Sequence, residues 1–147
     1  MQKTTIAING FGRIGRTLFR LLLQNPHIEV SVINDLADVA TLSHLLKYDS
    51  IHGVLPNSVS SSGHYMVVDG RKIPVLNEKH PSDINWQVFN VDIVIEATGK
   101  FKTAKELSLH LKNGAKKVIL SVPPANDSIK TVVMGVNEHL LDGTEKI

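Results

Sequence analysis

Three glycines constrain the start of this chain more than any other feature. Gly10, Gly12 and Gly15 lie in the run NGFGRIGR, Asn9 to Arg16, directly after the apolar stretch Thr4–Asn9. Ile6 and Ile8 read as a short strand. Ile14, Leu18, Leu21 and Leu22 follow at i, i+4, i+7 and i+8, the spacing of one helix face. The glycines therefore stand where a strand must turn sharply into a helix. Gly10 permits the turn, and Gly15 lets the new helix pack closely on the sheet. A Cβ at position 12 would occupy the space in front of the first free N–H groups of the helix. Those groups and the helix dipole favour an anion, so G-x-G-x-x-G in this register predicts a dinucleotide pyrophosphate there.

The second half of the same pattern follows. Val30, Val32 and Ile33 form another apolar run that ends at Asn34–Asp35, and Asp35 is 20 residues after Gly15. An acid at the tip of the second strand can accept hydrogen bonds from the adenosine ribose hydroxyls and repels the extra phosphate of NADP. No Arg or Lys occurs between Asp35 and Leu46 to offset that repulsion, so NAD is the expected cofactor. Asp35 could instead be a solvated loop carboxylate or a helix cap. Asp38 suits the cap better, because Val39, Leu42, Leu45 and Leu46 follow it with helical spacing.

At 147 residues the chain reads as one domain with enough length for a core. Its net charge is only +2, and the close basic pairs Arg71–Lys72 and Lys116–Lys117 read as solvated turns or strand edges, not as a nucleic-acid patch. Met1–Gln2–Lys3 leads straight into the first strand, with no signal peptide. No apolar run reaches membrane-spanning length. The chain has no Cys, hence neither disulfides nor a thiol nucleophile. A cytoplasmic protein with no membrane or nucleic-acid partner is expected.

Beyond the second helix the pattern changes. Val54–Val59, Tyr65–Val68 and Ile73–Leu76 read as short strands, with Asp69–Gly70 as a hairpin turn and Ser58–Ser62 as a serine-rich loop. Val91–Ile95 reads as a central strand. Thr103 and Glu106 form a capping box for a helix over Ala104–Lys112, which Asn113–Gly114 ends. Val118–Leu120 and Thr131–Met134 are read as two more strands. The expected fold is α/β, a Rossmann-type doubly wound, mainly parallel sheet with a small antiparallel excursion.

The segments NGFGRIGR, INDLAD (Ile33–Asp38), HLLKYDSIHG (His44–Gly53), VDIVIEATGKF (Val91–Phe101), GAKKVILSVPP (Gly114–Pro124) and VMGVN (Val133–Asn137) run in order over the whole chain. Together they resemble phosphorylating glyceraldehyde-3-phosphate dehydrogenases, and only their amino-terminal NAD-binding half. The resemblance implies that residues 1–147 are an NAD-binding domain and that the carboxy-terminal catalytic domain is absent from this chain. In the intact enzyme it implies a cysteine thiol that forms a hemithioacetal with glyceraldehyde 3-phosphate, hydride transfer to NAD, and release of the acyl group by phosphate. A homotetramer and a place in glycolysis are implied likewise. No catalytic and no metal-binding residue is expected in this chain; none of the seven histidines takes the catalytic role, and His44, His52, His64, His80, His110 and His139 read as surface or packing residues. Erythrose-4-phosphate dehydrogenase, or a stand-alone NAD-binding module without catalysis, stand as alternatives.

Carried over by resemblance, the cofactor-binding positions are Asn9, Gly10, Gly12, Arg13, Ile14, Asn34, Asp35, Lys79, Thr98, Gly99 and Ser121. Arg13 and Ile14 match backbone contacts to the pyrophosphate, and core packing of the Ile14 side chain is compatible with that. Asn9, Asn34 and Lys79 match the adenosine side. Thr98, Gly99 and Ser121 end two later strands and suit the nicotinamide-ribose side.

Overall fold

A computed structural model describes residues 3–147; the reading of Met1 and Gln2 lies outside the described residues. The elements alternate as the pattern requires. Strand β1 (Thr4–Asn9) leads to helix α1 (Arg13–Leu22), β2 (Ile28–Asn34) and α2 (Val39–Lys47). The short strands β3 (Tyr48–Asp49), β4 (Gly53–Val54), β5 (Val59–Ser62), β6 (Tyr65–Val68) and β7 (Arg71–Leu76) follow. Then come β8 (Ile93–Glu96), α3 (Ala104–Lys112) and β9 (Lys117–Leu120).

Seven strands make one sheet in the order β5-β6-β7-β2-β1-β8-β9. The pairs β1–β2, β1–β8, β2–β7 and β8–β9 are parallel. The pairs β5–β6 and β6–β7 are antiparallel, so the excursion extends the sheet at one edge. Asp69 (φ 49°) and Gly70 (φ 80°) both take the left-handed conformation that a two-residue Asp-Gly hairpin needs. β3 and β4 form a separate two-stranded hairpin.

Both faces of the sheet are covered, which is why its central strands are apolar throughout. On one face Ile6, Ile8, Val30, Ile33 and Ile95 pack with Phe19 of α1 and with Leu42 and Leu46 of α2. On the other, Ala7, Val32 and Val94 pack with Trp86, and Leu107 of α3 packs with Val118. Val30 and Ile33 share a face despite their odd spacing. The β1–β2 register skips Ser31, pairing Ile6 with Val30 and Ala7 with Val32.

Four expectations need correction. The buried face of α1 is Gly15 and Phe19, flanked by half-buried Leu18 and Leu22; Ile14 and Leu21 are 53% and 64% exposed. Position 14 stands in the first turn of α1, where the described chain leaves about half of it uncovered. Val54–Val59 is not one strand, because Leu55 turns into the core between β4 and β5. Ser58–Ser62 is largely the edge strand β5, whose serines pair through their backbone with β6 and leave their side chains outside. Thr131–Met134 forms no strand. Asn137 closes a turn there instead, its Oδ1 accepting from the Val133 N–H at 2.6 Å and its own N–H donating to the Val133 carbonyl at 3.1 Å. Val133 and Met134 are exposed and Val132 is only half-buried, so no buried face selects a strand.

Candidate functional site

From β1 the chain winds outward through β2 in one direction. It returns through β8 to wind outward in the other, so the strand order reverses between β1 and β8. The carboxyl ends of these strands therefore leave a crevice between diverging connections, the place where open α/β sheets bind ligands. An open crevice of about 210 Å3 lies there. Asn9, Gly10, Gly12, Asn34, Asp35, Lys79 and Thr98 line it, together with Leu36, Glu78, His80, Ala97, Lys100 and Phe101.

The turn between β1 and α1 fits the role its glycines suggest. Gly10 has φ +94°, and a Cβ there would lie 2.6 Å from the Thr98 backbone nitrogen. A Cβ on Gly15 would lie 2.2 Å from the Gly10 carbonyl oxygen. Gly12 is different: nothing in the chain lies within 4 Å of where its Cβ would be. Gly10 and Gly15 are thus required by the fold itself, whereas the bare backbone at Gly12 faces open space. No side chain caps α1 and no acid stands in its first turn. Its initial N–H groups remain available to an anion.

Asp35 sits just past β2, as expected, but with more bonds than expected. Its Oδ2 accepts the Phe11 N–H at 2.7 Å and its Oδ1 accepts the Ala37 N–H at 2.9 Å. Each carboxylate oxygen keeps a lone pair, so ribose hydroxyls can still be accepted. Asp35 does not cap α2. Asp38 does, accepting the Thr41 N–H at 2.9 Å.

Asn9 and Asn34 reach the crevice floor as a buried pair: Asn34 Nδ2 donates to Asn9 Oδ1 at 2.7 Å and to the Glu78 carbonyl at 3.0 Å. Lys79 is exposed on the rim. Thr98 directs its N–H at Glu96 (2.9 Å), and Gly99 (φ +71°) turns the chain away behind it. Arg13 and Ile14 stand at the exposed start of α1, directly after Gly12; like Gly99 they do not line the crevice themselves. Ser121 is also exposed and follows β9, where it borders a separate, apolar groove of about 710 Å3.

Several participants escaped the sequence reading. Leu36 and Phe101 give the crevice apolar walls, and His80 meets the Phe101 ring edge-on at 5.4 Å between centroids. Their one signal was position, each lying in a loop that leaves a parallel strand at its carboxyl end. Glu96 and His110 are fully buried. Nothing in the spacing of Glu96, the last residue of an apolar strand, marks it out. Among the described residues no group of His, Asp and Glu could hold a metal ion. No described helix is long and apolar enough to cross a membrane.

Comparison with known proteins agrees with this geometry. The family model described as glyceraldehyde 3-phosphate dehydrogenase, NAD binding domain, matches residues 4–104. Glyceraldehyde-3-phosphate dehydrogenase from Geobacillus stearothermophilus is 52% identical over 137 residues, covering 93% of this chain and 41% of the relative. The Mycoplasma pneumoniae enzyme is 46% identical over 142 residues, 97% of this chain and 42% of its own length. Glyceraldehyde-3-phosphate dehydrogenase 1 of Bacillus subtilis is 50% identical over 137 residues, with 93% and 41% covered. The chain thus spans about two fifths of the length of the curated relatives it matches. These relatives are named for glyceraldehyde 3-phosphate and none of the three for erythrose 4-phosphate. By its matching family model, its identity to these relatives and its doubly wound fold, the chain belongs to the glyceraldehyde-3-phosphate dehydrogenase family, as its NAD-binding domain.

Proposed function

We propose that residues 1–147 form one NAD-holding domain of a phosphorylating aldehyde dehydrogenase, and that the cofactor lies across the crevice between β1 and β8. One observation carries this reading. The uncapped start of α1, the open space at Gly12 and the Asp35 carboxylate all meet at a single strand-order reversal. The N–H groups of Arg13 and Ile14 receive the pyrophosphate, with the Arg13 charge beside it. Asp35 accepts the adenosine ribose hydroxyls. Asn9, Asn34 and Lys79 border the adenosine end. Thr98, Gly99 and Ser121 serve the nicotinamide-ribose end. α3 and β9, which extend past the family match, belong to the same body because β9 pairs with β8 over four residues.

NAD supplies the hydride acceptor. This domain's part is to bind and orient it against a substrate held elsewhere in the intact protein. Glyceraldehyde 3-phosphate and phosphate are the proposed substrates, the intact assembly a homotetramer, and the setting cytoplasmic glycolysis. The thiol that this chemistry requires lies outside these 147 residues, which contain no Cys. Two measurements test the reading. Calorimetric titration of this chain is expected to show NAD binding more tightly than NADP. Absorbance assays with glyceraldehyde 3-phosphate, phosphate and saturating NAD are expected to show no NADH formation. Equal affinity for NADP would remove Asp35 from the ribose, and clear turnover would place the chemistry in this half.

A further inference from the structure

Below the crevice, a buried chain of hydrogen bonds joins the tips of β1 and β8. Glu96, at the end of β8, and His110, on α3, are both 0% exposed. Glu96 Oε1 accepts from the Thr98 N–H at 2.9 Å and from the Thr98 hydroxyl. Its Oε2 accepts from Asn9 Nδ2 at 2.6 Å and from His110 Nε2 at 2.9 Å. Groups that can only donate set the polarity from both ends. Trp86 Nε1–H donates to His110 Nδ1 at 3.0 Å. The imidazole is therefore neutral, with its proton on Nε2 facing Glu96, an assignment that follows from the bonding network. At the other end the Glu78 N–H donates to Asn34 Oδ1 at 2.8 Å, which turns Asn34 Nδ2 toward Asn9 Oδ1 and Asn9 Nδ2 toward Glu96. Thr98 Oγ1 already accepts the Lys100 N–H at 3.1 Å, leaving its own proton for Glu96.

Four donors and no acceptor describe an ionised carboxylate. Among the described residues it has no Lys or Arg ion-pair partner. A charge buried in this way is tolerable only because the donors are complete. Those donors are not scattered through the core. Asn9 and Thr98 both line the crevice, as does Asn34 beyond them, while Glu96, His110 and Trp86 do not. The turns that Glu96 ties together also touch, since Gly10 has no room for a Cβ against Thr98.

We propose that Glu96 is a positioning residue for NAD: its buried carboxylate clamps the tips of β1 and β8 at the width the cofactor needs. The proposal rests on the reading that NAD occupies this crevice. Glu96→Gln tests it closely, because either orientation of the new amide sets an NH2 against at least one group that can only donate: the Thr98 N–H on one side, Asn9 Nδ2 and His110 Nε2–H on the other. Mispairing a charged hydrogen bond corresponds to about a tenfold or greater loss.

The experiment has three arms, each by calorimetry with NAD and by 15N NMR on this chain. Gly12→Val comes first. If a folded Gly12→Val chain binds NAD as wild type does, the crevice reading fails, and the proposal with it. If binding is lost, Glu96→Gln follows. The expected result is a native circular dichroism spectrum, NAD affinity reduced about tenfold or more, and shifted Gly10 and Thr98 amides. A folded Glu96→Gln chain with wild-type affinity would overturn the clamp while leaving the crevice reading intact. Third, the imidazole 15N shifts of wild-type His110 are expected to report the neutral Nε2–H tautomer. A cation or the Nδ1–H form would overturn the donor assignment. Should Glu96→Gln not fold, Trp86→Phe decides. It keeps an aromatic ring outside the crevice and removes the fixed donor, together with part of a fully buried ring. It is expected to let the His110 proton redistribute and to weaken NAD binding, and unchanged tautomer and affinity would refute the clamp.

Discussion

Replacing Asp35 by Ala separates two roles that the geometry places on one carboxylate. Asp35 satisfies the Phe11 N–H at 2.7 Å and the Ala37 N–H at 2.9 Å. Phe11 is 0% exposed, so its N–H loses its partner outright, whereas Ala37 is only half-buried and can turn to water. A hydrogen bond to a charged acceptor contributes about 1.5–3 kcal/mol. One such bond is the expected stability loss, since only the Phe11 N–H is stranded. For a domain of this size that corresponds to a fall in Tm of roughly 2–4 °C per kcal/mol. NAD affinity is expected to fall further than the stability loss explains, because the ribose loses one or two charge-assisted bonds, each about 1.5–3 kcal/mol. Urea unfolding followed by circular dichroism measures the first effect. Calorimetric titration, well below the midpoint, measures the second. A variant as stable as wild type would refute the structural role assigned to the Phe11 contact. A destabilised variant with unchanged NAD affinity would leave Asp35 as a loop brace and refute its contact with the ribose.

Gly12→Val is expected to leave the fold stable, because nothing lies within 4 Å of its Cβ position, and to abolish NAD binding; Gly15→Ala is expected to destabilise the fold, because its Cβ would meet the Gly10 carbonyl at 2.2 Å. Thermal unfolding of the pair checks the contrast, and equal Tm values would contradict it. Thr103→Ala removes the hydroxyl that accepts the Glu106 N–H and donates to the Glu106 carboxylate at the start of α3, while the backbone N–H of residue 103 keeps its bond to that carboxylate; the expected cost is about 0.5–2 kcal/mol in urea unfolding. The closing segment of the chain should respond to acid. Lys130, its own N–H and those of Asp142 and Gly143 pull the Glu145 carboxyl down to about 2. A depressed folded-state value stabilises the fold above the ordinary carboxylate range, and that stabilisation is lost as pH falls through about 2. Hydrogen-exchange protection of the Asp142 and Gly143 amides should therefore persist at pH 5 and disappear toward pH 2; protection unchanged at pH 2 would show that Glu145 does not anchor this segment.

Much of the fold was legible because local rules acted alone. Strand β1, helix α2 after its Asp38 cap, the Asp69–Gly70 turn and the capping box of α3 each depend on residues within a few positions of one another. The misread pieces depend on distant partners. Thr131–Met134 has strand composition but no strand beside it to complete a ladder. Ser58–Ser62 has loop composition, yet β6 supplies the partner that makes it a strand. Ile14 and Leu21 obey helical spacing, but the sheet that α1 meets is centred on Gly15 and Phe19.

The same division holds at the site. Sequence alone determined the turn at Gly10, the bare backbone at Gly12 and the acid at Asp35, because a strand-to-helix turn and a strand tip are local, and their residue types have few other reasons to coincide. Only the tertiary structure decided what stands around them. Leu36 and Phe101 are 65 positions apart in the chain and share one crevice. Glu96 faces Asn9 across 87 positions and His110 across 14. A buried carboxylate is stable only where several elements deliver donors to the same point, and no spacing within one element reveals that meeting.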